Sequence, residues 1–183
     1  MYQPDSIDSF VVDGESYIVT ANEGDAREYE GDNFEFIEEA GLDDLLEDGL
    51  LDLNDDDTAD SETTQIATGE TIADLLAEDR LGELDFTNAT GDTDGDGLIE
   101  QLYNFGGRSF SIWNEDGELV FDSGDEFEQI IAEQLPDNFN SDNDSNDSFD
   151  SRSDAKGPEP EAITTGVVDG TPYAFIGLER VGG

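Results

Sequence analysis

Cysteine and histidine are both absent from the 183 residues. Without cysteine there is no disulfide, no thiol nucleophile and no thiolate metal ligand. Without histidine, imidazole-based triads and ordinary zinc sites are excluded, and no side chain with an unperturbed pKa near neutrality remains to shuttle protons. Cations are scarce as well: six Lys and Arg stand against fifty Asp and Glu, a formal net charge of −44. That balance excludes binding nucleic acid by phosphate neutralisation and disfavours an anionic membrane surface. No apolar run approaches the roughly 20 residues of a membrane span. Apolar residues are 34% of the chain and the mean hydropathy is −0.57. The chain is lean in core material, yet long enough for one domain.

What is present is carboxylate. Self-repulsion at this charge density opposes the compact state, so screening by salt or neutralisation by bound cations must offset it. A protein of a high-salt environment and a protein that folds with Ca²⁺ both fit. Five of the six cations sit in short Gly- or Pro-rich motifs: Arg27 in ANEGDARE, Arg108 in GGRSFSIW, Arg152 and Lys156 in SRSDAKGPEPE, and Arg180 in GLERVGG. Either each one ties down a loop by pairing with a buried carboxylate, or the loops converge on a shared polar site.

The sharpest motif is Asp92-Thr-Asp94-Gly-Asp96-Gly97-Leu98-Ile-Glu100. Alternating aspartates project three carboxylates into one tight turn. Gly97 permits a positive φ, the Leu98 carbonyl adds an oxygen, and Glu100 closes the shell. Ca²⁺ takes six to eight oxygens at about 2.3–2.6 Å, so Asp92, Asp94, Asp96, Leu98 and Glu100 are the predicted metal ligands. The loop does not belong to a helix–loop–helix hand, because the twelfth position is Tyr103 rather than glutamate.

Along the chain, residues 7–20 read as a β-hairpin turning at Asp13-Gly14. Residues 33–51 place Phe34, Ile37, Leu42, Leu45, Leu46 and Leu50 at helical spacing, which predicts one or two short helices. Residues 52–64 form an acidic loop around Asp55-Asp56-Asp57, read as a solvated turn with a second cation site as the alternative. Residues 71–81 form a helix with Thr71 and Asp74 as a capping box. Residues 30–83 are thus expected to be a helical, acidic insertion in a β protein. A short strand over 83–90, with Leu84 and Phe86, leads into the metal loop. Three strands follow at 101–105, 109–113 and 118–122, expected to pair as a meander. Residues 125–134 predict a helix with Phe127, Ile130 and Ile131 inward. Residues 137–151 are a low-complexity Asn/Asp/Ser loop whose Asp142, Asp144, Asp147 and Asp150 offer further oxygens. In 152–161 the prolines set φ at alternate positions, so Glu159 and Glu161 point the same way if the segment is extended.

The end of the chain repeats its beginning. Ile163-Thr-Thr-Gly-Val-Val-Asp-Gly-Thr-Pro-Tyr matches Ile7-Asp-Ser-Phe-Val-Val-Asp-Gly-Glu-Ser-Tyr, and Glu179 corresponds to Glu23. Two hairpin copies separated by a meander imply a radial β repeat. The predicted fold is mainly β: one domain over 1–183, a partial β-propeller of two to three blades, with a short helical insertion. Its first and last strands are expected to be unpaired or paired with each other.

No phosphate-cradling glycine loop precedes a helix; Gly106-Gly107-Arg108 leads into a strand. Ca²⁺-assisted phosphoester hydrolysis stays open as an alternative activity. Its candidate anion or ligand site would draw on Glu23, Asp25, Arg27, Arg152, Asp154, Lys156, Glu159, Glu161, Glu179 and Arg180, each of which has structural pairing as the competing role.

Taken in order, ANEGDARE, the DTDGDG loop running into EQLYNFGGRSFSIW, SRSDAKGPEPE and AFIGLERVGG resemble the bacterial choice-of-anchor I domain family. That family is similar to the mesenchyme-specific cell-surface glycoproteins associated with animal biomineralisation. The resemblance runs nearly end to end, weakest over 30–85. It implies a secreted or surface-attached β-propeller related to phytase-like and alkaline-phosphatase-annotated proteins. It also implies an extracellular or cell-surface location, with leader, anchor and further blades expected outside these residues. Together the sequence predicts a Ca²⁺-binding surface or matrix module, with mineral or a phosphate ester as its partner.

Overall fold

The computed structural model describes residues 2–31, 34–77, 79–145 and 147–181. In chain order its strands are β1 (Ser6–Val12), β2 (Glu15–Asn22), β3 (Glu28–Gly31), β4 (Phe34–Ile37), β5 (Glu39–Gly41), β6 (Asp85–Thr87), β7 (Ser109–Asn114), β8 (Leu119–Asp122), β9 (Pro160–Val168) and β10 (Thr171–Leu178). The helices are α1 (Leu42–Glu47), α2 (Ile72–Leu75) and α3 (Glu126–Gln134). The fold is mainly β, built from several small antiparallel sheets, and no sheet closes on itself among the described residues. The chain divides into two compact units, residues 1–25 with 106–183, and residues 26–105.

In the first unit, β1-β2-β7-β8 form one four-stranded antiparallel sheet. Asp13 (φ 54°) and Gly14 (φ 88°) make the predicted two-residue turn between β1 and β2; positive φ at both central residues matches the twist of a hairpin. β2 pairs with β7, Val19 opposite Ile112, and β7 with β8. One stretch of the sheet is held by polar groups rather than apolar ones. Asn22 is fully buried and donates to Ser109 Oγ (3.0 Å) and Ser111 Oγ (2.8 Å). Ser111 in turn donates to Asp122 (2.6 Å), and Trp113 Nε1 to Thr20 (3.2 Å). Each buried group has a partner, so the network avoids the cost of orphaned polar atoms. Ile7, Val11, Ile18, Val120, Phe121, Val167 and Phe175 meanwhile stay exposed.

β9 and β10 form a separate hairpin that copies the first in register. Ile7 faces Thr20 as Ile163 faces Ile176, and Asp169-Gly170 (φ 51°, 83°) reproduce the Asp13-Gly14 turn. The copy extends further than the sequence match. Gln3 and Glu159, each before a proline, both take positive φ (31° and 50°). β1 and β10 are edge strands of different sheets.

The second unit holds the apolar core: Leu42, Leu45, Leu51, Ile72, Leu75, Phe86 and Ile99. Leu42 and Leu45 come from α1, Ile72 and Leu75 from α2, so two short helices, of six and four residues, each contribute an i, i+3 apolar pair. Thr71 caps α2 with the predicted box, Asp74 N donating to Thr71 Oγ1 and Thr71 N to Asp74.

Several expectations are corrected. Among the described residues of 34–51 only 42–47 is helical; β4 pairs with β3 and β5 with β6. Paired strands satisfy the backbone of those short apolar runs, which are too brief to sustain a helix. Residues 101–105 are not a strand of the meander, since β7 takes β2 as its second partner; an isolated bridge, Phe86 to Asn104, is what remains there. In α3, Ile131 is buried and Phe127 packs on Phe110 (6.0 Å), but Ile130 is 55% exposed, one residue off the inward face. The helix at 71–81 is shortened to α2. Within the predicted segments, residues 32, 33, 78 and 146 and the Phe34 side chain lie outside the described residues.

Candidate functional site

The loop at 92–100 is built as the spacing demands. Asp92 Oδ1 accepts the Gly95 amide (2.6 Å) and its Oδ2 the Gly97 amide (3.0 Å), curling the chain around the first carboxylate. Asp94 accepts from Asp96 N and Asp96 from Leu98 N. Glu100 reaches back to Thr93, accepting from its amide (2.6 Å) and hydroxyl (3.0 Å). One oxygen from each of Asp92, Asp94, Asp96 and Glu100 lies within 4.8 Å of the others. None of the ion pairs among the described residues involves these four. The Asp96 amide pulls Asp94 down, yet desolvation and the charges of Asp96, Glu100 and Asp57 win and raise its pKa. Crowded carboxylates without a counter-charge are what a cation would relieve. At the neck, Gly91 (φ 111°) accepts the Glu100 and Gln101 amides through its carbonyl, and a Cβ there would sit 2.3 Å from Gln101 O. These oxygens fit a hard divalent ion.

The second cluster gathers the charged motifs of the first unit. Lys156 Nζ donates to Glu23 (2.9 Å) and Asp25 (2.6 Å). Arg152 Nη2 donates to Glu159 (2.7 Å), and Arg180 Nε lies 2.8 Å from the other Glu159 oxygen. Arg180 also meets Glu179 (3.2 Å) and donates to Asn143. Glu159 is fully buried and Glu23 nearly so. Burial pulls the Lys156 ammonium down, but its hydrogen bonds to Asp25 and Glu23 and the charge of Glu159 hold it above its ordinary range. Burial raises Glu159, and Arg152, Glu179 and Arg180 more than reverse that. Glu179 is raised, first by facing Glu159 and then by desolvation. Glu23 is raised by burial, with Lys156 opposing.

Glu23, Glu159 and Glu179 also bring carboxylate oxygens within 4.8 Å, but Arg152, Lys156 and Arg180 stand among them. Glu23, Asp25, Asp142, Glu159 and Glu179 thus surround three cations. A divalent ion there would face two guanidiniums and an ammonium. The 92–100 loop imposes no such repulsion.

Not every residue of the predicted ligand set joins this cluster. Arg27 belongs to the other unit, where Nε and Nη2 clasp Glu38 (2.8 and 3.0 Å). Glu38 is 2% exposed, and Arg27 with the Thr87 hydroxyl holds its carboxyl down at about 2. Asp154 and Glu161 are exposed. Glu159 and Glu161 do not point the same way, because the positive φ of Glu159 turns it inward ahead of β9. Sequence reasoning missed Glu38, for which no local signal exists. Arg108, one of the five cations expected either to tie down a loop or to join a shared polar site, donates to Glu128 (2.8 Å), Ser153 O (2.6 Å) and Ala155 O (2.9 Å), fixing the loop that delivers Lys156.

No helix of the described residues is long and apolar enough to cross a membrane. Gigasin-3a of Magallana gigas is 41% identical over 92 residues, covering 48% of this chain and 32% of that protein. The mesenchyme-specific cell surface glycoprotein of Strongylocentrotus purpuratus is 28% identical over 205 residues, covering 97% of this chain and 24% of that protein. The chain thus spans at most a third of the length of these relatives. No solved structure matches it. The model of the choice-of-anchor I domain matches residues 1–183, and the chain belongs to that family.

Proposed function

We propose that this chain is a Ca²⁺-binding segment of a surface-associated β-propeller protein. The observation that carries the reading is the convergence of the Asp92, Asp94, Asp96 and Glu100 carboxylates within 4.8 Å, with no ion pair among the described residues using any of them. The name of the sea-urchin relative, a cell surface glycoprotein, supports the location. The in-register hairpin copies support a radial repeat: β1-β2-β7-β8 has the antiparallel order of a propeller blade, and β9-β10 would open the next. Exposed apolar residues on both hairpins, Ile7, Val11, Val167 and Phe175 among them, would then face neighbouring blades of a longer protein. A surface this acidic also suits contact with calcium-bearing mineral through bound ions.

The phosphoesterase alternative is less well supported. Arg152, Lys156 and Arg180 are each engaged by carboxylates, which leaves little positive field for a phosphate. Calorimetric titration of the chain with Ca²⁺ tests the main reading. A specific site whose heat disappears in Asp94→Ala is expected, and an unchanged isotherm in that variant would overturn it.

A further inference from the structure

The β9-β10 hairpin copies β1-β2, but only the first copy has its sheet completed. β2 has β1 on one side and β7 on the other, in a register that runs from Tyr17 opposite Asn114 to Asn22 opposite Ser109. By the in-register copy, Tyr17–Asn22 correspond to Tyr173–Leu178 of β10. Among the described residues β9 is the one strand partner of β10, so the edge that β7 fills on β2 stands open on β10. Burial records the difference. Val19 is fully buried, whereas its counterpart Phe175 is 51% exposed, with Tyr173 beside it at 49%.

The open edge is shaped to take a strand. Counting from the two-residue turn, the alternation of an antiparallel ladder sends the Ala174 and Ile176 amides outward, as it sends those of Ile18 and Thr20 toward β7. Pro172 has no amide to give, but it corresponds to Ser16, and the register of β7 on β2 begins only at Tyr17. The irregularity at the end of the hairpin falls in β9: Gly177 faces Ala162 and Leu178 faces Pro160, so Glu161 is the extra residue and β10 stays regular. β10 also carries no charged side chain, in a chain that is 31% charged. Edges left to solvent are ordinarily blunted by charge. The side chains specify which strand fits. On β2, Thr20 and Asn22 face Ser111 and Ser109, and Asn22 donates to both hydroxyls. Their counterparts on β10 are Ile176 and Leu178, so a strand there needs apolar residues where β7 has serines. A second copy is a poor occupant, because two chains of −44 repel each other. The chain spans at most a third of its relatives' length, which leaves a longer polypeptide as the source.

We propose that the β10 edge, Tyr173–Leu178, is a docking site for an antiparallel strand of the longer polypeptide, one with apolar residues facing Ile176 and Leu178. This rests on the radial repeat proposed above and adds the edge, the register and the chemistry of the strand that completes the second sheet. The probe is a synthetic peptide of residues 107–116 carrying Ser109→Val and Ser111→Val, added to the isotope-labelled chain while NMR follows amide exchange. It should slow exchange at Ala174 and Ile176 and bind about tenfold tighter than the unaltered peptide, since burying one Val-sized side chain is worth roughly that factor. N-methylation of the peptide at positions 111 and 113, which pair with Thr20 and Ile18 in the sheet, should abolish the protection. No slowing at Ala174 and Ile176 would overturn the edge and leave the Ca²⁺ reading to its own titration. Protection that survives N-methylation would overturn it too, as adsorption without a ladder. Protection with equal affinity for the two peptides would uphold the edge and overturn the register taken from the repeat. A chain that sediments alone as a dimer, with these two amides already slow, would make a second copy the occupant and overturn the proposal.

Discussion

Replacing Glu159 by alanine removes the carboxylate on which the charge cluster of the first unit closes. Glu159 has no exposed surface, Arg152 donates to it at 2.7 Å, and Arg180 Nε lies at 2.8 Å. The alanine variant leaves two guanidiniums, 24% and 18% exposed, around a void. Removing one partner of a buried pair costs about 3–5 kcal/mol. The lower end applies here, because Arg180 keeps Glu179 and Asp142 nearby and both arginines reach some water. A loss of about 3 kcal/mol is a large share of the roughly 5–15 kcal/mol that holds a domain folded. It corresponds to a fall of roughly 6–12 °C in Tm. Glu159→Gln keeps the volume and one acceptor but not the charge, and should fall between the two. Urea unfolding followed by Trp113 fluorescence reads the first unit, where that tryptophan lies on β7. The loss should persist in about 1 M NaCl, since buried charges are screened far less than exposed ones. Neutralising the surface pair Arg80–Glu70 should leave the midpoint unmoved. A Glu159→Ala loss below about 1 kcal/mol, or one erased by salt, would refute the assignment of the cluster as a buried structural network.

Two further outcomes follow from the second unit. Glu38 is held at about 2 against an ordinary 4.5, Arg27 being the main cause, so its contribution is complete above about pH 4.5 and is lost as pH falls toward 2. Arg27→Ala should move Glu38 upward and shift acid-induced loss of amide protection in that unit to higher pH, and an unchanged acid profile would contradict the pairing. Gly91→Ala must place a Cβ 2.3 Å from Gln101 O at φ 111°, a conformation costing of order 1–3 kcal/mol before any clash is relieved. It should lower both the urea midpoint and Ca²⁺ affinity, whereas Gly97→Ala, with nothing within 4 Å of its Cβ, should show the smaller effect; equal effects would argue against the close approach at the neck.

What was legible in the sequence was local. Asp13-Gly14 and the later Asp169-Gly170 announced their hairpins because few dipeptides suit two successive positive φ values. Thr71 with Asp74 announced a helix start, and the alternating aspartates announced the 92–100 loop. What was not legible depends on partners distant in the chain. Asn22 meets Ser109 across a sequence separation of 87, and nothing in either stretch names the other. The run 34–41 has spacing compatible with a helix, and β3 and β6 decided otherwise by pairing with it. Glu38 reads as one more acidic residue until Arg27 closes on it. An extended 158–161 would align Glu159 with Glu161, but the left-handed φ of Glu159 turns it into the cluster.

The central claim is that specific oxygen sites, and not charge screening alone, stabilise this acidic chain. Thermal unfolding at matched ionic strength in CaCl₂, MgCl₂ and NaCl tests it most directly, with Asp92→Ala alongside. A ligand present at 100 times its Kd adds about 2.7 kcal/mol, roughly 5–11 °C for a chain of this size. Ca²⁺ should therefore raise the parent's midpoint by several degrees beyond Na⁺ and Mg²⁺, with the excess reduced in Asp92→Ala. Equal stabilisation by all three salts, unchanged by the substitution, would contradict the account.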